Sequence, residues 1–233
     1  MQKSIGGGGY TMQPHVLDSN HDPELIQIVS AALASATARS GSHLVCRPGC
    51  TQCCVGVFPI AQQDAARLRE GLVALTQTDP DRAARIQTRV ADSITRLDPW
   101  FPGDTTSGIL SEDEQSTTLF EEFANDEPCP VLDPTTGICD LYDSRPIVCR
   151  TFGPPMRVPG DNGETNLATC ELCYTHATTE QIAACELDPT LPALEAANNK
   201  AFNAAHHLHG ETLIAYALRP TAAPACTLTS IQP

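Results

Sequence analysis

Cys46-Arg47-Pro48-Gly49-Cys50-Thr51-Gln52-Cys53-Cys54 packs four thiols into nine residues. Pro48 and Gly49 enforce a turn, so this stretch reads as a loop and regular structure has to flank it. Iron and zinc both favour cysteine thiolate, and a short loop that returns a sulfur every two or three residues can wrap a metal centre. Neighbouring side chains usually diverge, so Cys53 and Cys54 are expected to serve different metals, or one a metal and the other the packing. A disulfide between them would be strained.

On the N-terminal side, Asp22 can cap a helix with Pro23 in its first turn, and Leu25, Ile28, Val29, Ala32 and Leu33 follow at helical spacing. That helix is expected to end near Gly41. Beyond the loop, a short apolar stretch from Val55 to Ile60 leads to two amphipathic helices. Ala65, Leu68, Leu72 and Leu75 mark the first; Asp79-Pro80 starts the second, with Ile86, Val90, Ile94 and Leu97 on its buried side. Residues 98–111 read as a loop, and Leu119, Phe120 and Phe123 mark a further short helix.

The thiols then return. Cys129 to Tyr142 reads as two short extended pieces around a turn, close to a small hairpin that carries Cys129 and Cys139. Pro146 opens a helical turn, where the helix N-terminus and Arg150 are expected to lower the pKa of Cys149, as Arg145 would for a neighbouring sulfur; packing as a small buried hydrophobe is the alternative for Cys149. A Gly/Pro-rich loop, 153–163, precedes the pair Cys170 and Cys173. A long helical pattern begins at Asp188-Pro189 and is expected to bend at Gly210. Residues 1–20 read as a flexible leader and 220–233 as a loose tail, leaving 21–219 as the folded domain.

With 233 residues, 41% hydrophobic and 18% charged, the chain suits one folded domain. Acidic residues outnumber basic ones 28 to 14, and the net charge of −14 repels phosphate backbones and anionic lipid. Neither nucleic acid nor membrane is expected as a partner, whereas a protein partner or substrate is compatible. No signal-peptide core or membrane-length apolar run is visible, which places the chain in the cytoplasm. In that reducing compartment eleven cysteines point to metal or redox chemistry in preference to disulfides.

Four thiolates complete a zinc site or a cubane iron–sulfur cluster, so Cys46, Cys50, Cys53, Cys54, Cys129, Cys139, Cys149, Cys170 and Cys173 are enough for two four-ligand sites, or for one polynuclear centre with spare thiols. Cys185 and Cys226 read as bystanders. His206, His207 and His209 do not share one helix face and read as solvent-exposed. No hydrolase triad, phosphate loop or dinucleotide fingerprint is present, and the CxxC at Cys170 lacks a βαβ context.

The combined pattern of Cys46 to Cys54, Cys129-Pro130-x-Leu132, Gly137-x-Cys139-x-x-Tyr142-x-x-Arg145-Pro146-x-x-Cys149-Arg150-x-Phe152, and Cys170 resembles the YkgJ-type cysteine-cluster family. Its first spacing, C-x3-C, is one residue longer than the family's C-x2-C. The resemblance implies metal chelation, often as an iron–sulfur cluster, with zinc or iron ions as the alternative and no established reaction. A flagellin lysine methylase is similar in its cysteine pattern, so a cluster-dependent enzyme, redox catalyst or methylase-like transferase, stands as the second reading. The expected fold is mainly α: a single helical domain with a cysteine-rich loop and β-hairpin as its metal-binding centre.

Overall fold

The computed structural model describes residues 22–159 and 165–220. The leader, the tail and Cys226 therefore lie outside the described residues, as do residues 160–164. The fold is mainly α with two small sheets. Three long helices set the frame: α1 (Pro23–Ser40), α2 (Gln62–Thr78) and α3 (Pro80–Leu97). Their apolar positions recur at helical spacing, and Pro23 and Pro80 occupy first-turn positions where a missing N–H costs nothing. Asp79 caps α3 by accepting from the Arg82 N–H at 3.0 Å, which forces the tight α2–α3 hairpin.

Leu68 and Leu72 of α2 meet Ile86 and Val90 of α3 in the main core. Val131, Leu141, Ile214 and Ala217 close it. A second core joins Leu25 and Val29 of α1 to Ile147 of α5 (Ile147–Thr151) and Leu191 of α7 (Leu191–His206). The short helix α4 (Glu114–Glu122) lies between the third and later segments; Asp113 caps it.

Asp22 departs from its expected role. It occupies the α1 N-cap but makes no side-chain cap bond; its carboxylate is buried against Arg67 of α2, which also pairs with Asp64. Arg67 further donates to the Arg145 carbonyl at 3.2 Å, and Asp64 accepts from the Ile147 N–H at 3.2 Å. A buried carboxylate–guanidinium–carboxylate set therefore ties α1 and α2 to the turn that begins α5. Burial pushes both carboxyls up and Arg67 pulls them back.

The segments expected as loops hold strands. Gly103–Asp104 (β2) and Ile109–Leu110 (β3) form a hairpin that joins β1 (Ile60–Ala61) and β6 (Glu211–Thr212) in a sheet of order β1-β6-β3-β2. Residues 153–163 are not purely loop, because Met156–Pro159 (β4) pairs antiparallel with Thr165–Ala168 (β5). Before α7 there is an additional helix, α6 (Thr179–Ala184), opened by a Thr178–Gln181 capping box. The pattern from Asp188 does not run on through a bend. α7 ends where His207 turns left-handed at φ 54°, and the chain passes through β6 into α8 (Ile214–Ala217). Ending α7 there lets Thr212 pair with both Ile60 and Ile109.

Candidate metal centre

The Cys46–Cys54 loop leaves α1 through a 3-10 turn at Gly41–His43 and closes in a second at Gln52–Cys54. The Cys54 N–H donates to the Thr51 carbonyl at 2.8 Å, and the Cys54 carbonyl accepts from Cys129 N–H at 2.8 Å. That last bond joins the first thiol loop to the second. The second is a hairpin, as its sequence suggested: Leu132 bridges Cys139, and Asp133 anchors the turn by accepting from Thr135 N–H and Thr136 Oγ1. Gly137 holds φ 68° at its tip, and a Cβ there would lie 3.5 Å from the Gly49 carbonyl, so the hairpin tip touches the Pro48–Gly49 turn.

Three arginines of α3 fasten this hairpin. Arg82 and Arg89 both donate to the buried Asp140 carboxylate, and Arg89 Nε also reaches the Pro130 carbonyl at 2.8 Å. Arg96 makes a forked pair with Glu127 at 2.9 and 2.7 Å. Seven residues separate each arginine from the next, so all three stand on one stripe of the helix. Paired forks of this kind fix position as well as charge. Cys129 and Cys139 are thus held between a helical core and a row of ion pairs.

A cavity of about 220 Å³ opens between the loop and the hairpin. Seven thiols line it, those of Cys46, Cys50, Cys53, Cys54, Cys129, Cys139 and Cys149, together with Arg47, Tyr142, Arg145 and Arg150. A second, smaller cleft is lined by Cys46, Cys50, Cys53, Cys170 and Cys173. All nine sequence-predicted thiols therefore face one of two adjoining spaces. Cys46, Cys50 and Cys53 face both. Among the described residues no three His, Cys, Asp or Glu side chains form a ready-made single-ion set; the thiols ring a space instead.

Backbone donors aim at several of the sulfurs, yet the thiols of Cys129, Cys139, Cys149 and Cys173 are held protonated until a metal binds. Cys129 accepts backbone N–H donors from Val131 and Leu132, Cys139 from Leu141, and Cys173 from Val45 and Cys46. Such N–H groups aimed at sulfur stabilise its charged form. Burial and mutual repulsion oppose them: burial holds Cys129 up at about 12, and burial followed by the charges of Cys129, Cys139 and Cys53 raises Cys149. A divalent cation reverses that balance by deprotonating the thiols it binds. The donor set fits zinc or iron.

Two local expectations change. Cys149 is raised, not lowered, because desolvation in the cavity wall outweighs the nearby cations; Arg150 turns away to the carbonyls of Arg145 and Asp143, and Arg145 is the cation that acts on the sulfur. Cys53 and Cys54 do not diverge fully, since the 3-10 turn brings their sulfurs into hydrogen-bond contact, which is the leading cause of the raised Cys53 pKa. Cys185 is buried beside Cys170, Cys173 and Tyr174, outside both spaces. His206 packs its ring at a tilt against Phe202, while His207 and His209 are exposed. The ten cysteines of the described residues are all free thiols.

Sequence reasoning missed the arginine stripe. Its signal was the seven-residue spacing of Arg82, Arg89 and Arg96 on a helix whose apolar face had already been recognised.

No curated protein and no solved structure matches the chain significantly. One family does match, over residues 45–204: CxxCxxCC, described as "Putative zinc- or iron-chelating domain". Those bounds enclose the first loop, the hairpin, α5 and the Cys170–Cys173 pair, about two thirds of the chain. The protein belongs to this CxxCxxCC family of zinc- or iron-chelating domains.

Proposed function

We propose that the chain is a metal-binding protein that holds an iron–sulfur cluster through its ring of thiolates. The observation that carries this reading is the seven-thiol lining of one cavity of about 220 Å³. A single zinc ion with sulfur about 2.3 Å away occupies far less room; a polynuclear group with several cysteine ligands uses both the space and the number of donors. Cys53, Cys129, Cys139 and Cys149 would hold the group on the side of the hairpin. Cys46, Cys50, Cys170 and Cys173 supply a second set of four around the adjoining cleft. When bound, the cluster supplies one-electron redox capacity.

Eleven cysteines in one chain suit thiolate chemistry in a reducing, cytoplasmic setting; no helix of the described residues is long and apolar enough to cross a membrane. The charge of −14 argues against nucleic acid as a partner. The family match spans loop and hairpin together over residues 45–204, within the single domain 21–219 that we assign to metal binding. Purification without oxygen, followed by measurement of iron, acid-labile sulfide, zinc and the visible spectrum, tests the reading. Iron and sulfide in matching amounts with a brown chromophore are expected. A folded, colourless, metal-free protein would sink it, and zinc alone would leave only the chelating part.

A second reading, a cluster-dependent enzyme, is favoured by the presence of Tyr142 and Arg145 in the same cavity wall as the thiols, since a reaction needs polar groups beside the metal. S-adenosylmethionine binding would favour the transferase form and reversible cluster reduction the redox form. Absence of both retires the reading.

A further inference from the structure

Four thiolates around one divalent metal, or around a cubane cluster of charge 2+, leave a net negative centre in a half-enclosed cavity. The chain as a whole is acidic, with a net charge of −14, so its average field opposes that centre. The local requirement is a cation fixed at the cavity wall.

Arg145 meets it. Its guanidinium carbon stands 3.6 Å from the centroid of the Tyr142 ring, and its Nε donates to the Tyr142 carbonyl at 3.0 Å. A longer contact of 3.5 Å joins it to the Cys149 carbonyl. The ion pairs of the described residues use Arg67, Arg82, Arg89, Arg96 and Arg157, and Arg145 takes part in none of them. Its charge is therefore held in place by a ring and two carbonyls, none of which neutralises it. The same charge acts on Cys53, Cys139 and Cys149 together. Arg47 and Arg150 also line the cavity, but Arg47 is exposed and Arg150 is turned to backbone carbonyls.

We propose that Arg145, pinned by Tyr142, is the positioning residue that neutralises the metal–thiolate centre and so sets its affinity. This rests on the metal-binding reading above and adds a residue outside the ligand set. Guanidinium suits the task because it is charged at every accessible pH and stacks on aromatic rings.

The test uses the whole chain, demetallated without oxygen, with Zn²⁺ as probe in competition with a chromophoric chelator. Arg145→Gln is expected to weaken zinc by about ten- to a hundredfold, the range seen when groups supporting metal ligands are removed. Arg145→Lys keeps the charge and is expected to restore most of the affinity. Tyr142→Leu, which loosens the pin and leaves the charge, should fall between. The gap between wild type and Arg145→Gln should narrow as salt is raised, while the metal-free proteins melt alike. Equal zinc affinity in wild type and Arg145→Gln overturns the inference. So does equal loss in Arg145→Gln and Arg145→Lys with lowered melting of the metal-free forms, which would mark a structural brace. A wild-type chain that binds neither zinc nor iron brings down the metal reading itself.

Discussion

At the scale of single residues, the thiols separate by what surrounds them. Cys53 faces both spaces and Cys139 sits on the clamped hairpin, whereas Cys185 packs against Tyr174 away from either space. Cys53→Ser and Cys139→Ser should each lower metal content and metal-dependent thermal stability. Cys185→Ser should leave metal content intact, and its cost, about 1–3 kcal/mol for a hydroxyl placed in a buried cluster, should be the same with and without metal. Equal metal loss in all three, by elemental analysis, would contradict the assignment.

Glu195 on α7 provides a pH signature independent of metal. Burial, then the charge of Asp64, pushes its carboxyl up to about 7, with Arg67 pulling the other way. An unfolded chain releases this proton near pH 4.3, while the folded chain keeps it until about 7. The folded form is thus favoured below the unfolded value and loses that advantage as pH rises through 7. Glu195→Gln should raise the melting temperature relative to wild type at pH 8 and leave it unchanged at pH 4. The same difference at both pH values would show that Glu195 is not the group responsible.

At the scale of elements, α3 matters most because it carries a core face and a clamping face at once. Asp140 is buried between Arg82 and Arg89, so Asp140→Ala leaves two guanidinium groups facing an emptied pocket. Breaking such a pair from one side costs about 3 kcal/mol. Urea unfolding should show that loss, together with reduced metal uptake through the displaced Cys139. A change below about 0.5 kcal/mol, the scale of an ordinary surface substitution, would mean that the clamp does not hold the hairpin.

The helices α1 to α3 were legible in the sequence because long amphipathic segments repeat their apolar positions many times. The strands were not, since Ile60–Ala61, Gly103–Asp104, Ile109–Leu110 and Glu211–Thr212 are two residues each and have no period to read. They exist because distant backbone groups pair. The end of α7 was hidden likewise: His207 adopts the left-handed conformation usually given to glycine, and Gly210 three residues later drew the reading onward. Asp22 had the right position for a cap, yet Arg67, forty-five residues away, took its carboxylate. At the centre, the nine thiols were legible as donors from their spacing. Which of them share a space was not, because Cys129 meets Cys54 only through a backbone bond between remote segments.

At the scale of the whole molecule, the principal cores are built without the thiols as their main content. Leu68, Ile86 and Val90 are essentially inaccessible in one core, and Val29 and Ile147 in another, while Cys129 and Cys139 only flank the first. Chelation of the metal should therefore leave most of the helical circular dichroism in place, with protection from hydrogen exchange lost chiefly around 44–54 and 170–173. Collapse of the helical signal on chelation would show that metal and fold are inseparable, as in a small zinc finger.

The clamp of α3 on the hairpin also bears on the order of events during synthesis. Arg82, Arg89 and Arg96 leave the ribosome before Glu127 and Asp140, so the cations that fasten the hairpin are made before the carboxylates they hold. Seven of the nine clustered thiols, Cys46 to Cys149, precede Cys170 in the chain. The remaining two, Cys170 and Cys173, line the adjoining cleft and not the larger cavity, so every thiol around that cavity is synthesised before them.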